Sequence, residues 1–267
     1  MVLKVPLEES DEKVYRKEMA LLKRLQHPNI VNILGVVYSN TEFKIAMECV
    51  ELDLSHLFDI PSGRVVLHSL YDLLQWSRRN YAQHALAKEK AFEQIASDSV
   101  QGLCYLHRND TAHRDLKPQN ILVQMGASGS INAKLCDFGE ARSGSLKTRT
   151  LVTTRPRQRG TPVFNAPEVI QGNHVLDLTE NMQADIWSLA MVLYCLCNPS
   201  EAAPWLHEIE SEGCDIAELI AAKRLPYRNP QDRSISELDH LQAVYLRCAK
   251  YNPNERPSSS EVAQFLQ

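Results

Sequence analysis

The sequence has little that could hold a chain together other than a packed core. Its seven cysteines are an odd number, include no CxxC pair and lack a matching His or Cys pair for zinc. That speaks against a disulfide scaffold and a structural zinc site, and predicts free thiols in a reducing cytosol. The N-terminal stretch MVLKVPLEESDEKVY has no apolar run suited to a signal peptide. The most apolar window, residues 186–197, has twelve residues, against roughly 20 needed to cross a bilayer. There is no internal repeat and no low-complexity tract of any length. Neither sign of charge dominates: 29 Lys+Arg face 33 Asp+Glu for a net charge of −4, so nucleic-acid binding has no electrostatic support. What remains is ordinary globular usage, 44% hydrophobic and 23% charged over 267 residues. This excludes disorder and collagen, and suits one large domain or two lobes.

The patterning divides the chain unequally. Residues 2–5 read as a short apolar strand closed by Pro6. Glu8, Glu9, Asp11 and Glu12 crowd the start of the next helix, where the helix dipole favours acids. Its apolar positions Met19, Leu22 and Leu25 recur at helical spacing, and Pro28 is expected to stop it. Residues 30–38 and 43–50 read as strands with Ser39-Asn40 as the turn. From Leu54 the chain is mostly helical, with Phe92, Ile95, Ala96, Leu103 and Leu106 on one face of a long helix. Short strands at 121–123 and 133–136 flank a Gly/Ser-rich loop at 126–130, and a helix-poor stretch runs over 139–167. The window at 186–197 is apolar all round, which predicts a helix buried on every side. Helices follow at 216–222, 236–249 and 258–267, the last two opened by capping boxes Ser234…Glu237 and Ser258…Glu261. The order predicts an α+β protein: a small strand-bearing lobe, a larger helical lobe, and a ligand cleft between them.

Chemistry concentrates near that junction. His113-Arg114-Asp115-Leu116-Lys117-Pro118-Gln119-Asn120 is followed by Asp137-Phe138-Gly139 and then Ala166-Pro167-Glu168. Lys4 lies in the first strand and Glu18 on the next helix. This ordered set resembles the eukaryotic protein kinases, whose signature is a catalytic loop, a DFG motif, an APE motif and a strand lysine. The resemblance spans the whole chain. It implies a bilobal fold with a truncated small lobe at 1–50 and a helical lobe at 51–267, with ATP and Mg²⁺ as cofactors and a protein as substrate.

The residue types suit the chemistry. Phosphoryl transfer has a diffuse anionic transition state, so catalysis is mostly positioning and charge neutralisation. Asp115 is expected to orient the substrate hydroxyl and accept its proton. Lys117 would neutralise charge on the transferred group, and Asn120 and Asp137 would hold Mg²⁺. Lys4 would hold the α- and β-phosphates with Glu18 as its partner. The resemblance further implies an adenine site from the hinge residues Glu48 and Val50, with Met47 as gatekeeper and Val2 and Leu122 against the ring. It pairs Glu168 with Arg256, makes Asp185 the anchor of the catalytic-loop backbone, and stacks Leu22, Ile33, Phe138 and His113 in one column, leaving His113 a packing residue. Cys136 is expected to be an inert buried thiol.

Lys117 and Thr161 match the Ser/Thr-specific pattern, and residues 25–31 (Leu-Gln-His-Pro-Asn-Ile-Val) resemble the tyrosine-kinase-like group. Arg114 beside Asp115, with a later loop that carries Arg142, Lys147, Arg149, Arg155, Arg157 and Arg159 against the single acid Glu140, implies activation by phosphorylation at Thr148, Thr150, Thr153 or Thr154 by an upstream kinase, the alternative being a plain solvated basic loop. One departure stands out: no G-x-G-x-x-G occurs in the sequence. The chain is therefore expected to be a fragment of an intact kinase, with weak nucleotide binding as it stands. The alternative to a fragment is a short protein with a three-stranded lobe and an exposed nucleotide site, and the alternative to kinase activity is a catalytically impaired kinase-fold scaffold or allosteric module. A small-molecule kinase is disfavoured by the Ala166-Pro167-Glu168 segment.

Overall fold

The computed structural model describes residues 1–5, 12–39, 42–58, 64–88, 90–126, 129–144, 162–172 and 174–267. Strands β1 (Val2–Lys4), β2 (Ile33–Ser39) and β3 (Glu42–Met47) form an antiparallel sheet in the order β1-β3-β2. β3 is central because it pairs on both sides: Met47 faces Val2 and Ile33, and Ile45 faces Lys4 and Val36. Side chains alternate along a strand, so Val2 and Lys4 share a face. Ser39 ends β2, and Asn40 of the expected turn lies outside the described residues, as do Pro6, Glu8, Glu9 and Asp11.

Helix α1 (Glu12–Leu22) connects β1 to β2 and ends six residues before Pro28. Arg24 N–H donates to Leu21 O at 2.9 Å and Leu25 N–H to Leu22 O at 3.2 Å. These tight i→i−3 turns use up the last carbonyls and close the helix early. Pro28 then disfavours helical backbone at His27, so it reinforces a stop already made.

The remainder is mainly helical: α2 (Leu70–Arg79), α3 (Gln83–Lys88), α4 (Ala91–Arg108), α5 (Pro167–Gln171), α6 (Leu178–Cys197), α7 (Leu206–Glu212), α8 (Ile216–Ala221), α9 (Pro230–Arg233), α10 (Asp239–Cys248) and α11 (Ser259–Phe265). Among the described residues three small antiparallel pairs interrupt it: β4 (Leu52–Asp53) with β5 (Val66–Leu67), β6 (Thr111–Ala112) with β9 (Arg142–Ser143), and β7 (Ile121–Met125) with β8 (Ile131–Leu135). The apolar face of α4 is fully buried at Phe92, Ile95, Ala96, Leu103 and Leu106. At Gly102 the chain approaches so closely that a Cβ would sit 2.7 Å from Asn29 O. α6 opens with an Asp177–Glu180 capping box, and every residue from Ala184 to Cys197 is buried, with α10 packed against it. An all-round apolar helix can be stable only in such a central place.

Ser258–Glu261 forms the expected capping box. Ser234 does not. It ends α9, its Oγ donating to Gln231 O at 2.6 Å, and a 3-10 turn at Ser236–Leu238 leads into α10. Asn229-Pro230 starts its own short helix, and that claims Ser234 as a terminator. All seven cysteines are free. Among the described residues no helix is long and apolar enough to cross a membrane.

Candidate active site

The candidate site is built on two loops held by one buried carboxylate. Asp185, in the first half of α6 and 1% exposed, accepts from the backbone N–H groups of His113 and Arg114, both at 2.7 Å. His107 on α4 approaches its Oδ2 at 3.1 Å. Arg114 is thereby fixed at φ 70°, a left-handed conformation that bulky residues rarely adopt unless their surroundings impose it. The turn it makes projects Asp115 away from the core.

His113 is fully buried and uses both ring nitrogens. Nδ1 accepts from Asp115 N–H at 3.3 Å, which leaves Nε2 protonated to donate to Cys136 O at 3.1 Å. Its ring lies 5.1 Å from that of Phe138. A histidine committed in this way packs and positions; it has no free nitrogen for proton transfer. Leu22 is buried, and Ile33 packs against the same hydrophobic core as Phe138.

The Asp115 carboxylate receives Lys117 Nζ at 2.9 and 3.1 Å and Asn120 Nδ2 at 2.9 Å. Asn120 sits at the end of a 3-10 turn, Pro118–Asn120, that begins with proline, where a missing N–H does no harm. Its Nδ2 also donates to Asp115 O at 2.8 Å. Its Oδ1 has no hydrogen bond among the described residues, so an oxygen ligand is left over. Cys136 N–H donates to Asn120 O at 3.0 Å, and this bond ties the Asp115 loop to the Asp137 loop.

Asp137 also adopts a left-handed backbone, φ 61°. Lys4 Nζ reaches Asp137 Oδ1 at 2.8 Å and both oxygens of the buried Glu18 at 2.8 Å. Glu18 Oε1 additionally accepts Phe138 N–H at 3.1 Å, joining α1 directly to the Asp137 loop. Burial pulls the Lys4 pKa down, but the Glu18 and Asp137 carboxylates outweigh it and hold the ammonium above its usual value. Burial pushes the Asp137 carboxyl up, and the Lys4 charge and hydrogen bond overcome that, leaving it below the ordinary carboxylate range. For Cys136 the Lys4 charge opposes the rise but is outweighed: burial, then the neighbouring Asp137 charge, pushes the thiol up to about 12.

The adenine-site candidates cluster at the end of β3. Met47 pairs with Val2 and Ile33, and Glu48 N–H donates to Asn32 O at 3.0 Å. The Glu48 carbonyl and Val50 N–H have no hydrogen bond among the described residues. Leu122 on β7 lies opposite Lys134. Val50 O is approached by His68 Nδ1 at 3.4 Å, and His68 O accepts Val123 N–H at 2.9 Å, which brings the segment beside β7. Sequence reasoning missed the brace behind it: Glu48 Oε1 accepts Lys134 Nζ and Asn32 N–H, both at 2.7 Å.

Beyond this cluster, Arg256 grips Glu168 with two bonds of 2.6 and 2.8 Å and donates to Gln183 O and Lys250 O at 2.9 and 2.8 Å. Ser188 Oγ donates to Phe164 O at 2.8 Å. Thr148, Thr150, Thr153, Thr154 and Thr161, with Lys147, Arg149, Arg155, Arg157 and Arg159, lie outside the described residues.

Among the described residues no group of three or more His, Cys, Asp and Glu is arranged to hold a metal. A carboxylate and an amide oxygen on neighbouring loops do fit magnesium, which is usually held by one or two protein oxygens together with phosphates and water.

Comparison with known proteins identifies the family. The model of the protein kinase domain matches residues 1–266, and the chain belongs to that family. It is 28% identical over its full length to the dual specificity protein kinase shkE of Dictyostelium discoideum, covering 32% of that protein. It is 29% identical over 92% of its length to the serine/threonine-protein kinase par-4 of Caenorhabditis elegans, covering 34% of that protein. It is 32% identical over 67% of its length to the serine/threonine-protein kinase TIO of Arabidopsis thaliana, covering 11% of that one. The chain thus spans between 11% and 34% of the length of these relatives.

Proposed function

We propose that the chain is an ATP-dependent protein kinase that transfers the γ-phosphoryl group to Ser or Thr hydroxyls of protein substrates. The observation that carries the reading is the Cys136 N–H to Asn120 O bond. It joins a lysine-braced carboxylate, Asp115, to a second loop on which Lys4 keeps Asp137 ionised. Asp115 orients the acceptor hydroxyl and takes its proton. Lys117, already on the Asp115 carboxylate, faces the group in transfer. Lys4, set by Glu18, binds the α- and β-phosphates. Asp137 and Asn120 would hold Mg²⁺, which when bound neutralises phosphate charge. Glu48 O and Val50 N–H would read the adenine edge between Met47, Val2 and Leu122. In this reading residues 1–50 form the smaller lobe and 51–267 the larger. The run at 25–31 favours the tyrosine-kinase-like group. Arg114, whose Nη1 donates to Glu140 O at 3.3 Å, would answer phosphorylation of the following segment by an upstream kinase. A cytoplasmic setting accords with seven free thiols.

The test is transfer of labelled phosphate from ATP to a basic test protein, by the parent chain and by Asp115→Asn with its fold checked by circular dichroism. Transfer by the parent that falls at least a hundredfold in the variant is expected. Transfer that persists in the variant overturns the assignment of Asp115. A parent without transfer, whose partner binding survives Asp115→Asn and Asp137→Asn, would establish the scaffold instead.

A further inference from the structure

Lys4 is enclosed on a third side. The ring of Tyr15, one turn before Glu18 on α1, lies with its centroid 5.3 Å from Lys4 Nζ, within the distance at which an ammonium is attracted to an aromatic face. The Tyr15 hydroxyl donates to Val5 O at 2.8 Å, one residue beyond Lys4. One side chain therefore bridges the helix to the end of β1 twice, by its tip to the backbone and by its face to the ammonium. Residues three apart on a helix lie on the same side, so Tyr15 and Glu18 reach the lysine together. Among the described residues the charged groups that pair with Lys4 are Glu18 on α1 and Asp137 on the loop after β8, while β3 places Ile45 opposite it.

We propose that Tyr15 is a positioning residue for phosphate binding: its ring caps the Lys4 ammonium, and its hydroxyl fixes the ring by pinning the end of β1. This rests on the nucleotide reading above and adds a group to it. A lysine head is a point charge on a flexible four-carbon stem. Glu18 fixes where it is held, but a single carboxylate leaves the stem free to swing toward solvent. With Glu18 on one side and an aromatic face on another, the ammonium is held toward Asp137, 2.8 Å away, the carboxylate proposed above to meet the phosphates through Mg²⁺. The ring's own contribution is specific to ligands that carry phosphate, because it acts through the ammonium, whereas the hydroxyl's hold on β1 is lost alike in Tyr15→Phe and Tyr15→Leu.

That specificity supplies the test. ATP with magnesium and adenosine are titrated by calorimetry into the parent chain, Tyr15→Phe, Tyr15→Leu, Lys4→Met and the Lys4→Met/Tyr15→Leu pair, with melting curves to confirm folding. Tyr15→Leu is expected to weaken ATP three- to tenfold and leave adenosine within twofold. Tyr15→Phe, which keeps the ring, should stay within threefold of the parent for ATP. In the Lys4→Met background, Tyr15→Leu should have no further effect. The proposal is overturned if ATP is unaffected, if ATP and adenosine weaken together, if Phe behaves like Leu, or if the effect survives without Lys4. A parent that binds no ATP overturns the nucleotide reading itself, which the first titration establishes separately.

Discussion

The Glu168–Arg256 pair lends itself to a quantitative test because burial and exposure predict different magnitudes. The Arg256 side chain is 0% exposed and that of Glu168 15%. A solvent-exposed pair contributes about 0–1 kcal/mol, whereas removing one partner of a buried pair costs about 3–5 kcal/mol because the other charge is stranded. Arg256→Met strands Glu168 and also leaves the carbonyls of Gln183 and Lys250 without their donor, so a loss near the middle of that range, about 4 kcal/mol, is expected. Glu168→Gln keeps the shape but removes the charge that offsets the guanidinium. If the two side chains act as a unit, the double variant is destabilised by much less than the sum, with a coupling of at least about 2 kcal/mol. Urea unfolding of the four proteins at equal slope measures this. Additive losses, or a coupling below about 1 kcal/mol, would show that the pair is energetically a surface pair and that something else secures the segment around Glu168.

Two further outcomes follow from local features. With its thiol pushed up to about 12, Cys136 should be alkylated by iodoacetamide at a rate that rises about tenfold per pH unit from 7 to 10, where an ordinary thiol of pKa about 8.5 levels off; peptide mapping showing a plateau below pH 9 would contradict the burial argument. Tyr81 is 89% exposed at φ 53°, and Ala82 N–H donates to Ser77 O in a helix-ending turn that usually carries glycine. Tyr81→Gly should stabilise by about 0.5–1 kcal/mol and raise the melting midpoint by roughly 1–3 °C, and a lowered midpoint would show that the ring holds the turn in place.

The sequence exposed the groups that are contiguous or that lie in strongly patterned elements. The run from His113 to Asn120 is one loop, so its chemistry could be read without knowing what lay beside it. The all-round apolar stretch in α6 announced its own burial. Distant contacts were legible only where a family motif names both partners, as for Glu168 and Arg256; those that no motif names escaped notice. Lys134 and Glu48 are 86 positions apart, and nothing in either neighbourhood signals the other. Nor could spacing reveal that Glu18 accepts Phe138 N–H across 120 positions. Local signals also competed: Ser234 three residues before Glu237 suits a helix start, but Asn229-Pro230 upstream had already begun a helix that ends there. At α1 the apolar spacing continued to Leu25, which is buried, although the helix itself had ended. Buried side chains past a helix end keep the pattern going after the hydrogen bonds have stopped.

α6 also limits how the chain can change in length. Gln183, Asp185 and Ser188 each hold a different segment, respectively Arg256, the 113–114 backbone and Phe164. Each residue along a helix turns by about 100°. Inserting a single residue between Gln183 and Ser188 would turn the anchors on either side of it out of register by that angle, so this stretch tolerates no change in length.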